Sequence, residues 1–198
     1  MWSDVLLFGA VLLQVLCLGS GYPNGAPASA CGDMMPRHSG VVPQPNPAPY
    51  TIQTSSNTFQ AGVPITVVIK GPVYQGVLLE ARSGSDTKAL GVWKSPPANT
   101  KLLQCSGNSN GAITHANTNA KDNSTEYSWT PTDGTPSQIY FMATVAQQRT
   151  VYWLNVRSQT LSGGGSTNLA TDTNSGSARQ SLYLLLLLGP LSTQILHN

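Results

Sequence analysis

The chain has 198 residues, enough for one domain of ordinary size together with targeting segments. Charged residues make up 9% of it and the formal net charge is +2, which argues against a nucleic-acid partner. Its 19 glycines and 14 prolines predict short strands and turns rather than long helices.

The N-terminal residues 1–21 are predicted to be a secretory signal peptide. An apolar stretch from Val5 to Leu18 precedes the small residues 19–21, and cleavage is expected just before Tyr22. A basic segment at the start is missing, since Asp4 is the one early charge. A signal anchor is the alternative, although about 14 apolar residues are too few to span a bilayer comfortably.

Cysteine usage agrees with export. Cys17 leaves with the signal peptide, so the mature chain keeps Cys31 and Cys105. An even pair in an exported chain favours one disulfide, and closing the long loop between the two would contribute about 4 kcal/mol. Two free thiols or half of a metal site are the alternatives, and neither Cys-x-x-Cys nor a nearby His pair supports the metal.

The middle of the chain predicts an all-β domain. The Pro-rich residues 22–49 should form an extended N-terminal arm, attached to the body through Cys31. From Tyr50 to residue 158, short runs alternate apolar and polar residues, as in "PITVVIKG", "GVLLEARS" and "IYFMATVAQ". Eight or nine such strands predict a two-sheet antiparallel sandwich, with an up-and-down barrel as the alternative.

Two further features concern the surface and the C-terminus. Asn123 begins an Asn-Ser-Thr sequon, which predicts an exposed, glycosylated loop in a secreted chain. Residues 159–181 are polar and of low complexity, which predicts a flexible tether. Residues 182–198 form a hydrophobic C-terminal tail.

This tail is interpreted as a signal for a glycosylphosphatidylinositol (GPI) anchor. A helix over residues 182–196 would be about 22 Å long, shorter than the ~30 Å of hydrocarbon in a bilayer. Small residues precede it, with Asn174 as the first choice of attachment residue and Ser175 as the second. The polar spacer between these residues and the hydrophobic tail is short, so residues 165–167 are an alternative attachment site. A truncated gene model or a retained tail is the other interpretation.

An ordered series of segments resembles the Reeler (reelin-type N-terminal) domain. The segments are "YPNGAPASACGDMMPRHSG", "PAPYTI", "GVLLEAR", "GAITHANTNAKDNSTEYSWTPT" and "IYFMATVAQQRTVYWLNV". The resemblance spans about residues 22–158 and implies an immunoglobulin-like β-sandwich in which Cys31 pairs with Cys105. Such domains occur in reelin, spondins, ferric-chelate-reductase-like proteins and small insect defence proteins. Because no haem or cytochrome domain follows, the reductase chemistry is not expected here.

Candidate chemical groups are few. Met34, Met35 and His38 in "DMMPRH" suggest copper ligands, but the spacing does not make them converge, so packing of the methionines and a solvated His38 are favoured. His115 is expected to make a structural hydrogen bond, and His197 lies in the tail. We therefore expect no catalytic residue, no metal and no cofactor. Alternating aromatic residues are expected to be mostly core; they are Tyr127, Trp129, Tyr152 and Trp153.

The sequence thus predicts a non-enzymatic extracellular binding module, secreted or held on the outer face of the plasma membrane. Its partner would be an unidentified extracellular protein or glycan, with membrane attachment through a lipid anchor. A role in innate defence fits the resemblance. An antimicrobial effector acting on microbial envelopes is one alternative, and an accessory of ferric-reductase-type redox proteins is another.

Overall fold

The computed structural model describes residues 21–45 and 47–164, which form a β-sandwich of mostly antiparallel strands. The single helical element in this part of the chain is a one-turn 3-10 helix over Ala28–Ala30. The strands, in chain order, are β1 (Thr51–Thr54), β2 (Thr58–Phe59), β3 (Ile65–Lys70), β4 (Gly76–Arg82), β5 (Val92–Lys94), β6 (Thr100–Cys105), β7 (Asn108–His115), β8 (Glu126–Thr130), β9 (Gln138–Gln148), β10 (Val151–Arg157) and β11 (Leu161–Gly163).

Two sheets make up the sandwich. The smaller sheet has the order β1-β3-β8-β5, and the larger has the order β2-β11-β9-β4-β7-β6. Strand β10 also pairs with β9, so that β10 and β11 share the edge of β9 opposite β4. All of these pairings are antiparallel except that of β11 with β2.

The core between the sheets comes from the alternation seen in the sequence. Ile65, Val67 and Ile69 of β3 point inward, while the residues between them are half-buried. Trp129 lies at the centre, edge-on to Phe141 with ring centroids 5.2 Å apart, and donates its indole N–H to Leu90 O at 2.8 Å. That hydrogen bond removes the cost of burying the one polar atom of the indole ring.

The outer face of the larger sheet is buried as well, because the N-terminal arm covers it. A second apolar cluster joins Ala30 and Met34 of the arm to Leu78 of β4 and Met142 of β9. All seven residues of β4 are buried for this reason, whereas an uncovered strand would alternate. The arm therefore acts as a third layer over the sandwich.

Several sequence predictions can be compared with this fold. The sandwich is confirmed and the barrel alternative is wrong, because the strands form two separate sheets. Eleven strands occur in the described residues, more than the eight or nine predicted, since β2 and β11 are too short to show a periodicity. Residues 159–163 belong to the sandwich rather than to the predicted tether, because Leu161 is fully buried and pairs with Ile139.

Candidate functional site

A groove of about 280 Å³ lies between the arm and the outer face of the larger sheet. Its floor is formed where β4 begins and β9 ends, and Leu78 and Ala146 contribute to it. Ala30 and Met34 of the arm form part of the facing wall. The lining is mostly apolar, and a concave apolar site with a few polar groups is the usual form of a ligand site.

A disulfide fixes the arm beside this groove. Cys31, directly after the 3-10 helix, is bonded to Cys105 at the end of β6, and their Cα atoms are 5.6 Å apart. The Sγ atoms of both cysteines and a carboxylate oxygen of Glu80 lie within 4.8 Å of one another. Because both sulfurs are already bonded to each other, this group cannot act as a thiolate metal site.

A buried ion pair holds the same part of the arm. Arg82 donates through Nε to Oε2 of Glu80 at 2.9 Å, and through Nη2 to the backbone oxygens of Cys31 and Gly32. Oε1 of Glu80 has no hydrogen-bond partner in the described residues. Burial therefore dominates over the attraction of Arg82 and raises the pKa of Glu80 to about 7.

His115 ties the start of the arm to the sheet. Its Nε2 donates to Tyr22 O at 2.7 Å, and its Nδ1 accepts from Val77 N at 3.2 Å. This pattern requires the neutral ring, and burial lowers the pKa of His115 accordingly. The imidazole thus makes the structural hydrogen bonds that the sequence indicated.

His38 and the two methionines also line the groove. Met34 is buried, as the packing interpretation predicted, and its backbone oxygen accepts from Thr144 Oγ1 at 2.7 Å. His38 is half-buried rather than solvated, because its Nδ1 donates to Arg149 O at 2.6 Å and its ring lies edge-on to Tyr152. Nδ1 of His115 also lies 3.3 Å from Oγ1 of Thr114, but that hydroxyl donates to Val77 O at 2.8 Å, and the contacts of neither imidazole include a carboxylate.

The remaining predicted sites lie elsewhere. Asn123 is exposed in the loop before β8, where its Oδ1 accepts from Gly71 N at 2.9 Å. Asn174, Ser175 and His197 lie outside the described residues, as does the signal segment 1–20. Residues 21–45 and 47–164 contain no helix with the length and hydropathy that crossing a bilayer requires.

Sequence reasoning missed the groove itself. Tyr22, Leu78, Ala146 and Arg149 line it, although they are far apart in the chain and share no motif. Leu78 lies on the face of β4 that points away from the core between the sheets. An apolar residue on that face is the one local sign in the sequence that another segment covers it.

Fold and site together define a β-sandwich domain whose disulfide-fixed arm encloses one side of a ligand-sized groove. The chain belongs to the Reeler family, because the family profile of the Reeler domain matches residues 29–168. It is 40% identical over 166 residues to a protein of Hyphantria cunea named "Putative defense protein Hdd11", covering 80% of this chain and 96% of that protein.

Other relatives have different lengths and names. "Ferric-chelate reductase 1" of Bos taurus is 32% identical over 149 residues, a match that covers 74% of this chain and 25% of that protein. Among solved structures, the human F-spondin reeler domain has a TM-score of 0.49 at 12% identity, covering 63% of this chain and 95% of that one.

Proposed function

We propose that this Reeler domain is a non-enzymatic extracellular recognition module, and that the groove beneath its arm is the ligand site. The observation that carries the proposal is the groove itself, which is open, mostly apolar and walled by a segment fixed by a disulfide. A preformed site binds its ligand without the entropic cost of ordering its own wall. The names of the insect relatives support a role in defence.

The groove offers recognition rather than catalysis. Its two imidazoles hydrogen-bond to backbone oxygens at 2.6 and 2.7 Å, and those bonds orient the rings as structural groups. A general base would instead have to reach a nucleophile or a substrate proton. The activity of ferric-chelate reductases is not proposed for this chain, because the match covers 25% of the bovine protein.

The test compares two leucine substitutions on the full chain, produced in secreting cells and labelled with a fluorophore. Ala146→Leu places a larger side chain in the groove, whereas Ala61→Leu adds the same side chain at an exposed turn. We expect wild-type protein and the Ala61 variant to be retained on bacterial or fungal cells and the Ala146 variant to be lost from them. Equal retention of both variants, or no retention of wild type, would contradict the proposal, and growth inhibition would favour the antimicrobial alternative.

We further propose that the protein is exported and carries a glycan on Asn123. Its disulfide and the family it belongs to support export. The exposed position of Asn123 supports modification. A peptide N-glycosidase should lower the apparent mass of the secreted protein and have no effect on Asn123→Gln; an unchanged wild-type mass would refute the glycan.

The C-terminal tail is proposed to be exchanged for a lipid anchor at Asn174 or Ser175. The support is the sequence pattern of small residues followed by an apolar tail. Phosphatidylinositol-specific phospholipase C should then release the protein from the surface of expressing cells. Surface protein that resists the enzyme, or secreted protein that still contains residues 184–188, would exclude the anchor.

A further inference from the structure

The volume of the groove limits what it can hold. At about 280 Å³ it lies just below the ~300–1,000 Å³ range of small-molecule sites. One unbranched chain fits that space, whereas the two chains of a phospholipid would need more. Ala30, Leu78 and Ala146 offer such a chain apolar contact, and the thioether of Met34 adapts its shape to an irregular neighbour.

The lining of the groove combines one cationic side chain with neutral polar ones, among them Gln75, Gln148 and Thr144. No aspartate or glutamate lines it, while Arg149, His38 and His115 do. Arg149 is exposed at the edge, its side chain passes over Gly21, and within the described residues its guanidinium has no hydrogen-bond or ion-pair partner. Cleavage before Tyr22, as the sequence predicts, would add an ammonium group at a residue that also lines the groove.

The arm wall of the groove is held in a strained conformation. Met34 and Arg37 have φ values of 56° and 48°, which side chains with a Cβ seldom adopt. Met34 keeps this conformation because its N–H donates to Ala30 O at 2.7 Å and its carbonyl accepts from Thr144. These contacts fix the shape of the groove wall at Met34 in advance, as the surroundings do for strained residues at ligand clamps.

From these three features we infer that the ligand of the groove is a free fatty acid of medium chain length. Its acyl chain lies along Leu78 and Ala146, and its carboxylate pairs with the guanidinium of Arg149. A planar guanidinium matches a carboxylate with two parallel hydrogen bonds, which gives the head group a defined place. The inference rests on the proposed function and specifies its ligand; the exposed surface of the groove is mostly apolar, which suits an acyl chain better than a glycan.

The test is calorimetric titration of the full chain, taken from the medium or released from cells without detergent. The probes are decanoate and nonyltrimethylammonium, which share a nonyl chain and carry head groups of opposite charge, both kept below their micellar concentrations. We expect decanoate to bind and the cationic probe to bind about tenfold more weakly. Equal binding of both probes, or no binding of decanoate, would overturn the inference, as would preference for anionic phospholipid vesicles over decanoate.

Two pairs of variants test where the head group and the chain bind. Arg149→Glu should weaken the binding of decanoate about tenfold. Lys94→Glu makes the same charge change at an exposed position on β5 and should leave that affinity unchanged. Ala146→Leu should abolish binding, and Ala61→Leu should not. Equal effects of the two charge changes would show that the carboxylate does not pair with Arg149. If Ala146→Leu abolishes retention on microbial cells but wild type does not bind decanoate, the fatty acid is excluded and the proposed function stands.

Discussion

Glu80 offers a quantitative test of how the arm is anchored. Its carboxylate is fully buried under the arm, and its pKa rises from an ordinary 4.5 to about 7. A group whose pKa is raised in the folded state stabilises the fold fully below its unfolded pKa, and this contribution is lost as the pH rises through the folded pKa. The shift corresponds to about 3 kcal/mol of unfolding free energy, lost between about pH 4 and pH 8.

Glu80→Gln removes this titration while keeping the shape of the side chain and an acceptor for Arg82. Urea unfolding followed by tryptophan fluorescence should be measured for both proteins at about pH 4 and about pH 8. From the lower to the higher pH, the wild type should lose about 3 kcal/mol relative to the variant. His115, whose pKa is lowered, acts in the opposite direction, because its contribution is lost as the pH falls. That effect is common to both proteins and cancels.

The same pH dependence in both proteins would refute this reasoning. A wild type that gains stability over the variant as the pH rises would show that the attraction of Arg82 dominates over burial. The first result would mean that the attraction of Arg82 offsets the desolvation of Glu80, and the second that it exceeds the desolvation.

Two further changes test other parts of the fold. Cys105→Ser should lower the unfolding free energy by about 4 kcal/mol and reduce export, since it opens a loop with a sequence separation of 74; native protein with two alkylatable thiols would contradict this. Gly91→Ala should lower the unfolding free energy by about 2 kcal/mol more than Gly107→Ala does. Both glycines have positive φ, but a Cβ on Gly91 would lie 2.5 Å from the ring of Trp129, whereas one on Gly107 meets nothing within 4 Å. Equal melting temperatures of the two variants would show that the ring moves aside at no cost.

The core could be predicted from the sequence because alternation is a local signal. The alternation in "GVLLEARS" predicts that Val77, Leu79 and Ala81 share one face of a strand, and all three lie in the core between the sheets. The second buried layer could not be predicted in this way. Glu80 and Thr144 look like solvent-facing positions, and they are buried because the arm, which is distant in the chain, covers them.

The groove was still less predictable, because it depends on contacts between segments that no local pattern relates. Tyr22 reaches His115 across a sequence separation of 93, and His38 reaches Arg149 across 111. The resemblance indicated the pairing of Cys31 with Cys105, which the structure contains. That bond fixes where the arm starts along the sheet, but the space left beneath the arm follows from side-chain packing.

The central claim is that the groove beneath the arm is the ligand site, and NMR mapping tests it most directly. Backbone amide shifts of the isotopically labelled full chain would be followed while decanoate is added. We expect the changes to saturate and to cluster at Met34, Leu78, Ala146 and Arg149. Changes that centre on another surface, such as the loop around Asn123, would contradict the account, and a spectrum that does not change at all would exclude the fatty acid as the ligand.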